Sequence, residues 1–188
     1  MHCRCSRRQV LAGAGLAGVG SLAGCLGDDD GTEEAPDPVA LDDGKQCDVC
    51  GMVIEEHFGP NGQVFYENHP EDRNGPAWYD SVRELFVDRF AQEERGRDPL
   101  ATYVIDYARV DYEVIEQDER NYLSTHVEAG SFVEAEDAVF VVESGVEGAM
   151  GPDLVPFSDE GAAEAFVDAE GRRVVEYDEV TLELLNDL

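Results

Sequence analysis

DSVRELFVD at residues 80–88 and DEGAAEAFVD at residues 159–168 decide the fold, because the chain uses a similar helical passage twice. The first passage places Ser81 three residues before Glu84, which is the spacing of a helix-capping box, and apolar residues then recur at helical intervals. The second passage follows Ser158 and carries a stripe of Ala and Phe. Two amphipathic helices are therefore predicted, one in each half of the chain.

Segments typical of β-strands flank both helices. Four segments are rich in Val, Phe, Tyr or Ile: residues 63–66, 101–105, 138–142 and 173–177. A strand–helix–strand unit used twice predicts an α+β fold of two related small units, about residues 46–110 and 111–188. We expect each unit to be an antiparallel sheet with a covering helix, a duplicated ββαβ-like arrangement. The alternative is chance similarity between two amphipathic helices.

The first 24 residues have the features of a twin-arginine lipoprotein signal peptide. SRRQVL at residues 6–11 precedes an uncharged run of small and apolar residues, and LAGC at residues 22–25 is typical of a lipobox. We expect Cys25 to be lipidated and to become the new N-terminus. The alternative is an uncleaved signal anchor, and either would place the domain outside the cytoplasm and tie it to the membrane. Residues 25–45 are predicted to be an acidic, flexible tether.

The charge balance of the chain is strongly acidic. The formal net charge is −30, with 43 Asp and Glu against 13 Lys and Arg. Apolar residues remain frequent, so the composition predicts a folded domain with an acidic surface. Self-repulsion destabilises such a domain, and molar salt, with a Debye length of ~3 Å, screens it. We therefore predict a halophilic protein. The negative charge excludes nucleic acid and anionic membrane surfaces as partners. We interpret the Asp and Glu side chains as lying on solvated faces of the domain.

The clearest chemical signal is CDVCGM at residues 47–52, which places Cys47, Cys50 and Met52 within six residues. Thiolate and thioether ligands are soft and select Cu(I) above other ions. In an extended segment Cys50 and Met52 would point to the same side, whereas Cys47 can join them only if the chain turns. The motif therefore predicts a copper site.

Three other interpretations of this motif remain open. A structural zinc site needs four ligands, and the sequence shows neither a second Cys pair nor a His pair at zinc-finger spacing. A thioredoxin-like redox pair lies at a helix start, where Gly51 would be a poor continuation. A structural disulfide suits an oxidising exterior, but so short a loop gives little stabilisation.

Two residues outside the motif are candidates for further copper ligands. Met150 lies in a Gly/Pro-containing loop and could approach the motif if the two halves are related by a pseudo-twofold axis. Its alternative role is packing under a turn. His57 follows Met52 by five residues and is the nearest histidine. Its alternative is a surface position or a simple hydrogen bond.

From Cys47 to about Thr181 the chain resembles the nitrous oxide reductase accessory lipoproteins, the NosL family. The resemblance rests on the order of several segments: CDVCGMV at 47–53, GP at 59–60, QV at 63–64, WYD at 78–80, YVIDY at 103–107, MG at 150–151, LVPF at 154–157, AAEAF at 162–166 and YDEVT at 177–181. It implies two related α+β units. Its Cys-x-Met ligand pair falls on Cys50 and Met52, Cys47 is a further candidate ligand, and Met150 lies in the loop that corresponds to the family's Met-Gly loop. The sequence departs from the family in its acidity and in Pro152, where relatives can carry a polar residue.

The resemblance implies a Cu(I) metallochaperone that is not an enzyme. It would act outside the cytoplasm, anchored to the membrane by the lipid on Cys25, and supply the copper centres of nitrous oxide reductase beside a membrane-associated maturation and transporter complex. One alternative keeps copper and changes the client to one such as a haem-copper oxidase. The other is a thiol–disulfide redox lipoprotein that uses Cys47 and Cys50.

Overall fold

A computed structural model describes residues 35–71, 73–170 and 173–188 of the chain. The predicted twin-arginine signal and the predicted lipidation of Cys25 lie outside these residues. Among the helices that are described, none combines the length and the apolar character that a bilayer crossing requires.

The first half folds as strand, strand, helix and strand. Its elements are β1 (Gly62–Tyr66), β2 (Ala77–Tyr79), α1 (Val82–Glu93) and β3 (Pro99–Ile105). In the sheet β1 lies between β2 and β3, and both pairings are antiparallel. The side chain of Ser81 accepts a hydrogen bond from the backbone N–H of Glu84, so α1 begins where the capping spacing predicted.

The second half contains the remaining strands and helices. They are β4 (Val114–Gln117), β5 (Arg120–Leu123), β6 (Phe132–Glu134), β7 (Val139–Val142), β8 (Val146–Gly148), β9 (Gly151–Pro152), β10 (Val155–Phe157), α2 (Glu160–Glu170), β11 (Arg173–Val175) and α3 (Leu182–Asp187). Short 3-10 turns cover Ile54–Glu56, Ala129–Ser131, Ala135–Asp137 and Tyr177–Glu179.

The two halves share one topology. In the second sheet β7 lies between β10 and β11, again with antiparallel pairing, and α2 lies between β10 and β11 in sequence. Strands β7, β10 and β11 therefore occupy the places that β1, β2 and β3 hold in the first sheet. The α+β prediction is confirmed, and the common strand order agrees with a duplicated ββαβ unit.

The halves are more closely joined than the sequence predicted. Strand β6 belongs to the second half of the chain but pairs with β3 of the first sheet. A third sheet, in the order β4–β5–β8–β9, contains a parallel pairing of β5 with β8 that no sequence pattern indicated. The apolar core also crosses the boundary, since the rings of Phe86 and Phe140 meet edge to face with centroids 5.5 Å apart.

Part of the predicted flexible tether is packed. Leu41 is 0% exposed, and its backbone N–H donates to the carbonyl of Val127. The side-chain amide of Gln63 bonds both the N–H and the carbonyl of Val39, at 3.0 and 2.8 Å. The folded unit therefore includes residues 39–41, ahead of the expected start at residue 46, because an apolar side chain and paired backbone groups hold these residues against the sheet.

The interpretation of the acids as solvated faces is wrong for three of them. Asp80, Asp106 and Asp153 are 2%, 0% and 3% exposed. Buried carboxylates require hydrogen-bond donors or a counter-ion, and Asp106 has both, since it accepts from the backbone N–H groups of Ala108 and Ser158 and pairs with Arg109 at 2.9 Å.

Candidate metal centre

The CDVCGM segment forms a tight loop closed by backbone hydrogen bonds. The N–H of Cys47 donates to the carbonyl of Met52 at 2.8 Å, and the N–H of Gly51 donates to the carbonyl of Cys47 at 2.9 Å. Gly51 has a φ of +76°, a conformation that side chains other than hydrogen disfavour. The chain therefore turns between Cys47 and Cys50, which is the condition under which both thiols can serve one site.

The two cysteines differ in exposure and are both free thiols. Cys47 is 3% exposed, whereas Cys50 is exposed at the surface of the loop. Neither lies at the start of an α-helix, because the next regular element after Cys50 is the 3-10 turn Ile54–Glu56. The loop therefore does not continue into a helix, as the Cys-x-x-Cys segment of a thioredoxin-like site does.

Two carboxylates complete a group of four possible metal ligands. Asp80 and Glu84 offer oxygen atoms which, with the sulfur atoms of Cys47 and Cys50, all lie within 4.8 Å of one another. The thiol of Cys50 lies 3.3 and 3.4 Å from the two carboxylate oxygens of Asp80. The thiol of Cys47 lies 3.6 Å from Oε2 of Glu84.

The fold brings these acids to the loop by ending β2 and beginning α1 beside it. Asp80 follows the last residue of β2, Ser81 caps the helix, and Glu84 lies in the first helical turn. In a full capping box the Glu84 side chain would return to the N–H of Ser81. Here it contacts the thiol of Cys47 instead. Ser81 therefore caps the helix, while the side chain of Glu84 belongs to the candidate site.

Burial favours the neutral form of the site when no metal is present. It raises the pKa of the Cys47 thiol far above its ordinary value, and it also raises the pKa of Cys50. The pKa of Glu84 is raised mainly by burial and further by the negative charge of Asp80. A metal ion that binds thiolates must therefore displace protons, so binding strengthens as pH rises.

The other predicted ligands differ in their exposure and in their place in the fold. Met52 is half-buried at the end of the loop, and its carbonyl accepts from Cys47. Met150 is 46% exposed at the turn between β8 and β9. His57 is half-buried, and its carbonyl accepts from the hydroxyl of Thr125. Among the described His, Cys, Asp and Glu residues, His57 is not part of the four-ligand group.

A hydrogen bond ties the Met150 loop to the same helix end. Asp153 follows β9, and its Oδ1 accepts from the backbone N–H of Arg83 at 2.7 Å. Arg83 is in the first turn of α1, between the Ser81 cap and Glu84. The second half of the molecule thus contributes to the helix start beside which Cys50 and Asp80 lie.

The sequence predicted the two thiols of this group and missed the two carboxylates. Asp80 and Glu84 lie 30 or more residues from the loop, and the sequence signal at Ser81 and Glu84 was interpreted only as a helix cap. With these acids the site offers four donors, so the lack of ligands that weighed against zinc no longer holds. The donor set comprises two soft thiols and two harder carboxylates, at a loop that is open at Cys50.

The fold and this group of ligands define a small α+β domain with a candidate metal site at a surface loop. The chain belongs to the NosL family, because the NosL family model matches residues 38–185, which contain the whole site.

Curated relatives and a solved structure agree with this assignment. The chain is 30% identical over 166 residues to the copper-binding lipoprotein NosL of Stutzerimonas stutzeri, covering 88% of this chain and 77% of that protein. It is 31% identical over 133 residues to the copper-binding lipoprotein NosL of Achromobacter cycloclastes, covering 70% of this chain and 61% of that protein. The crystal structure of the copper chaperone NosL from Shewanella denitrificans aligns with a TM-score of 0.63 and 27% identity, covering 79% of this chain and 98% of that chain.

Proposed function

We propose that this protein is a lipid-anchored, extracytoplasmic Cu(I) metallochaperone that supplies copper for the copper centres of nitrous oxide reductase. The observation that carries the proposal is the pair of free thiols on a turned surface loop, in a chain whose relatives are named copper-binding lipoproteins and a copper chaperone. Thiolates and a thioether are ligands that Cu(I) prefers.

The proposed binding step begins at the exposed thiol. Cys50 and Met52 hold Cu(I) in a shell of few ligands, and Cys47 and Met150 are candidates for completing it. His57 is a candidate outside the group of four donors that lie within 4.8 Å of one another. Delivery is ligand exchange, in which a Cys, Met or His of the acceptor displaces these ligands one at a time. Exposure of Cys50 suits this exchange because an acceptor can reach its sulfur.

A competition titration tests copper binding. Residues 34–188 form one compact unit that contains both apolar clusters, so residues 26–188 can be purified without the leader cysteines. We would titrate this reduced domain anaerobically with Cu(I) against a chelator in molar salt, and repeat the titration with Zn²⁺ present. One tightly bound Cu(I) per chain is expected, lost in Cys50→Ser and weakened in Met52→Leu.

The same titration separates the competing functions. Folded, reduced wild-type protein that binds no Cu(I) tightly would contradict the proposal and favour a thiol redox role for Cys47 and Cys50. Displacement of Cu(I) by equimolar Zn²⁺ would instead favour a zinc site built from the two thiols with Asp80 and Glu84.

The client and the anchor need separate tests. Copper-loaded protein should restore the copper spectrum of metal-free nitrous oxide reductase faster than free Cu(I) chelate does. A metal-free haem-copper oxidase serves as the alternative acceptor, and preferential transfer to it would overturn the choice of client. Cys25→Ala should release the protein from the membrane fraction, and retention of this variant would favour an uncleaved signal anchor.

A further inference from the structure

The second residue of the Cys-x-x-Cys loop is held by an arginine. Asp48 lies between the two cysteines in sequence, and its carboxylate accepts hydrogen bonds from Arg73. Nη1 of Arg73 donates to Oδ1 of Asp48 at 2.7 Å, and Nη2 donates to Oδ2 at 2.5 Å. Such a two-point arginine–carboxylate pair fixes orientation as well as distance.

The same carboxylate joins the loop to the edge of the first sheet. Oδ2 of Asp48 accepts from the backbone N–H of Trp78 at 2.6 Å, and the N–H of Asp48 donates to the Trp78 carbonyl at 2.8 Å. Trp78 is the middle residue of β2, an edge strand of its sheet. Asp48 therefore pairs with this edge through one backbone group and one side-chain oxygen.

Arg73 is itself held from two further sides. Its Nη2 also donates to the carbonyl of Pro76 at 2.9 Å, and its guanidinium carbon lies 3.9 Å from the centre of the Trp78 ring. Stacking on an aromatic face and a planar fork of donors are properties that lysine does not reproduce. The pair is also partly shielded from water, since the side chains of Arg73 and Asp48 are 27% and 12% exposed.

This arrangement connects the loop that carries Cys47 and Cys50 to the strand that precedes Asp80 and Glu84. Cys47 and Cys50 flank Asp48 on the loop, whereas Asp80 follows Trp78 by two residues at the end of β2. We propose that Asp48 and Arg73 form a clamp that positions the Cys-x-x-Cys loop against the end of β2 and thereby tunes metal affinity without binding the metal. The affinity part of this proposal rests on the proposed function, whereas the positioning part does not.

Two measurements on the 26–188 domain test the clamp. The first is the Cu(I) dissociation constant of Asp48→Asn, Asp48→Ala and Arg73→Lys by chelator competition. The second is the rate at which iodoacetamide alkylates Cys47 in the metal-free protein, read by peptide mass spectrometry. The matched control is Arg120→Lys, which alters the Arg120–Glu147 pair at 3.0 Å on the third sheet.

The clamp predicts that all three variants raise the dissociation constant about tenfold and raise the Cys47 alkylation rate at least fivefold. The control should change both by less than twofold. Asp48→Asn keeps the shape of the side chain and one carbonyl oxygen, so it tests positioning even if Asp48→Ala unfolds. Circular dichroism would establish that each variant used is folded.

Separate outcomes distinguish the two proposals. Wild type that binds no Cu(I) contradicts the proposed function, and Cys47 alkylation alone then decides the clamp. Tight wild-type binding, with Asp48→Asn and Arg73→Lys within twofold of wild type in both measurements, overturns the clamp and leaves the proposed function intact.

Discussion

At the scale of single residues, Gly51 controls the path of the chain between Cys50 and Met52. Its φ is +76°, and a Cβ added there would meet open space. The requirement for glycine at this position is therefore conformational and does not come from crowding. Gly96, after α1, has a φ of +77° and equally open surroundings. The two glycines form a natural pair for separating backbone strain from an effect on the site.

Gly51→Ala should weaken copper binding while Gly96→Ala should not. Each change places a Cβ in the left-handed region and should cost about 1 kcal/mol of unfolding free energy. Only at Gly51 would relief of that strain move a thiol, that of Cys50. A loss of about 1 kcal/mol of copper-binding free energy corresponds to a roughly fivefold higher dissociation constant. Urea unfolding and chelator competition would measure both quantities. Equal dissociation constants in the two variants would contradict the prediction.

Asp153 should make the stability of the protein depend on pH. Burial raises the pKa of this carboxyl to about 7, whereas an unfolded Asp titrates near ~3.9. Between these values the folded state binds more protons than the unfolded state, so unfolding free energy falls as pH rises from about 4 to about 7 and then levels.

The matched variant for this effect is Asp153→Asn. The amide keeps an oxygen for the N–H groups of Arg83 and Leu154 and has no charge to bury. Its unfolding free energy should therefore rise relative to that of wild type between pH 4 and pH 8, by up to about 4 kcal/mol for a pKa raised from ~3.9 to about 7. Urea unfolding of both proteins across this range measures the difference. A difference that is constant with pH would show that the Asp153 carboxyl titrates normally.

At the scale of elements, the start of α1 serves both the helix and the metal site. Ser81 accepts from the N–H of Glu84 at 3.1 Å, while the side chain of Glu84 points to Cys47. Thr181 caps α3 in the same way, through the N–H of Leu184 at 3.2 Å. α3 has six residues, and neither Thr181 nor Leu184 is among the four ligands of the candidate site, so Thr181 offers a control for a cap that holds no ligand.

Ser81→Ala should destabilise the protein by about 1 kcal/mol, the usual cost of losing a helix cap. It should also increase the exchange of the Cys47 backbone amide with solvent, because Glu84 and Asp80 lose their fixed position beside the loop. Thr181→Ala should cost similar or less stability and leave Cys47 exchange unchanged. Hydrogen exchange by mass spectrometry with urea unfolding measures both effects. Unchanged Cys47 exchange in Ser81→Ala would show that the cap and the loop are independent.

The predictable elements are those whose signals are local. The helix spacing after Ser81 and the β-branched run in residues 101–105 each predicted an element that the structure contains, α1 and β3. The carboxylates of the site were not predictable in this way. Asp80 meets Cys50 where Asp48 pairs with the edge of β2, and no periodicity in the sequence records a pairing between segments 30 residues apart.

The packing of residues 39–41 could not be predicted from the sequence for a similar reason. Residues 25–45 are acidic and poor in apolar residues, which is typical of a linker, yet Leu41 is fully buried. One apolar side chain and the amide of Gln63, bonded to Val39 on both sides, are enough to hold residues 39–41. The composition of a segment is an average over its residues, whereas its packing can depend on one of them. The composition of residues 25–45 therefore does not reveal the burial of Leu41.

At the scale of the whole molecule, the net charge of −30 should make stability depend on salt. Seven ion pairs within the described residues involve few of the 43 acidic residues, so most of the negative charge is not neutralised by them. At 0.1 M salt the Debye length is about 10 Å, so neighbouring surface acids repel one another, and at 1 M it is about 3 Å. Salt should therefore stabilise the folded state by screening.

The thermal midpoint should rise with NaCl and approach a plateau near 1 M. Each kcal/mol of relieved repulsion raises the midpoint of a domain of this size by about 2–4 °C. Screening is largely complete once the Debye length is shorter than the spacing between surface charges, whereas strengthened apolar burial would continue to grow with salt. Calorimetry from 0.1 to 3 M NaCl distinguishes these shapes. A midpoint that rises steadily to 3 M would assign the salt effect to apolar burial, and one that does not move would contradict the halophile prediction.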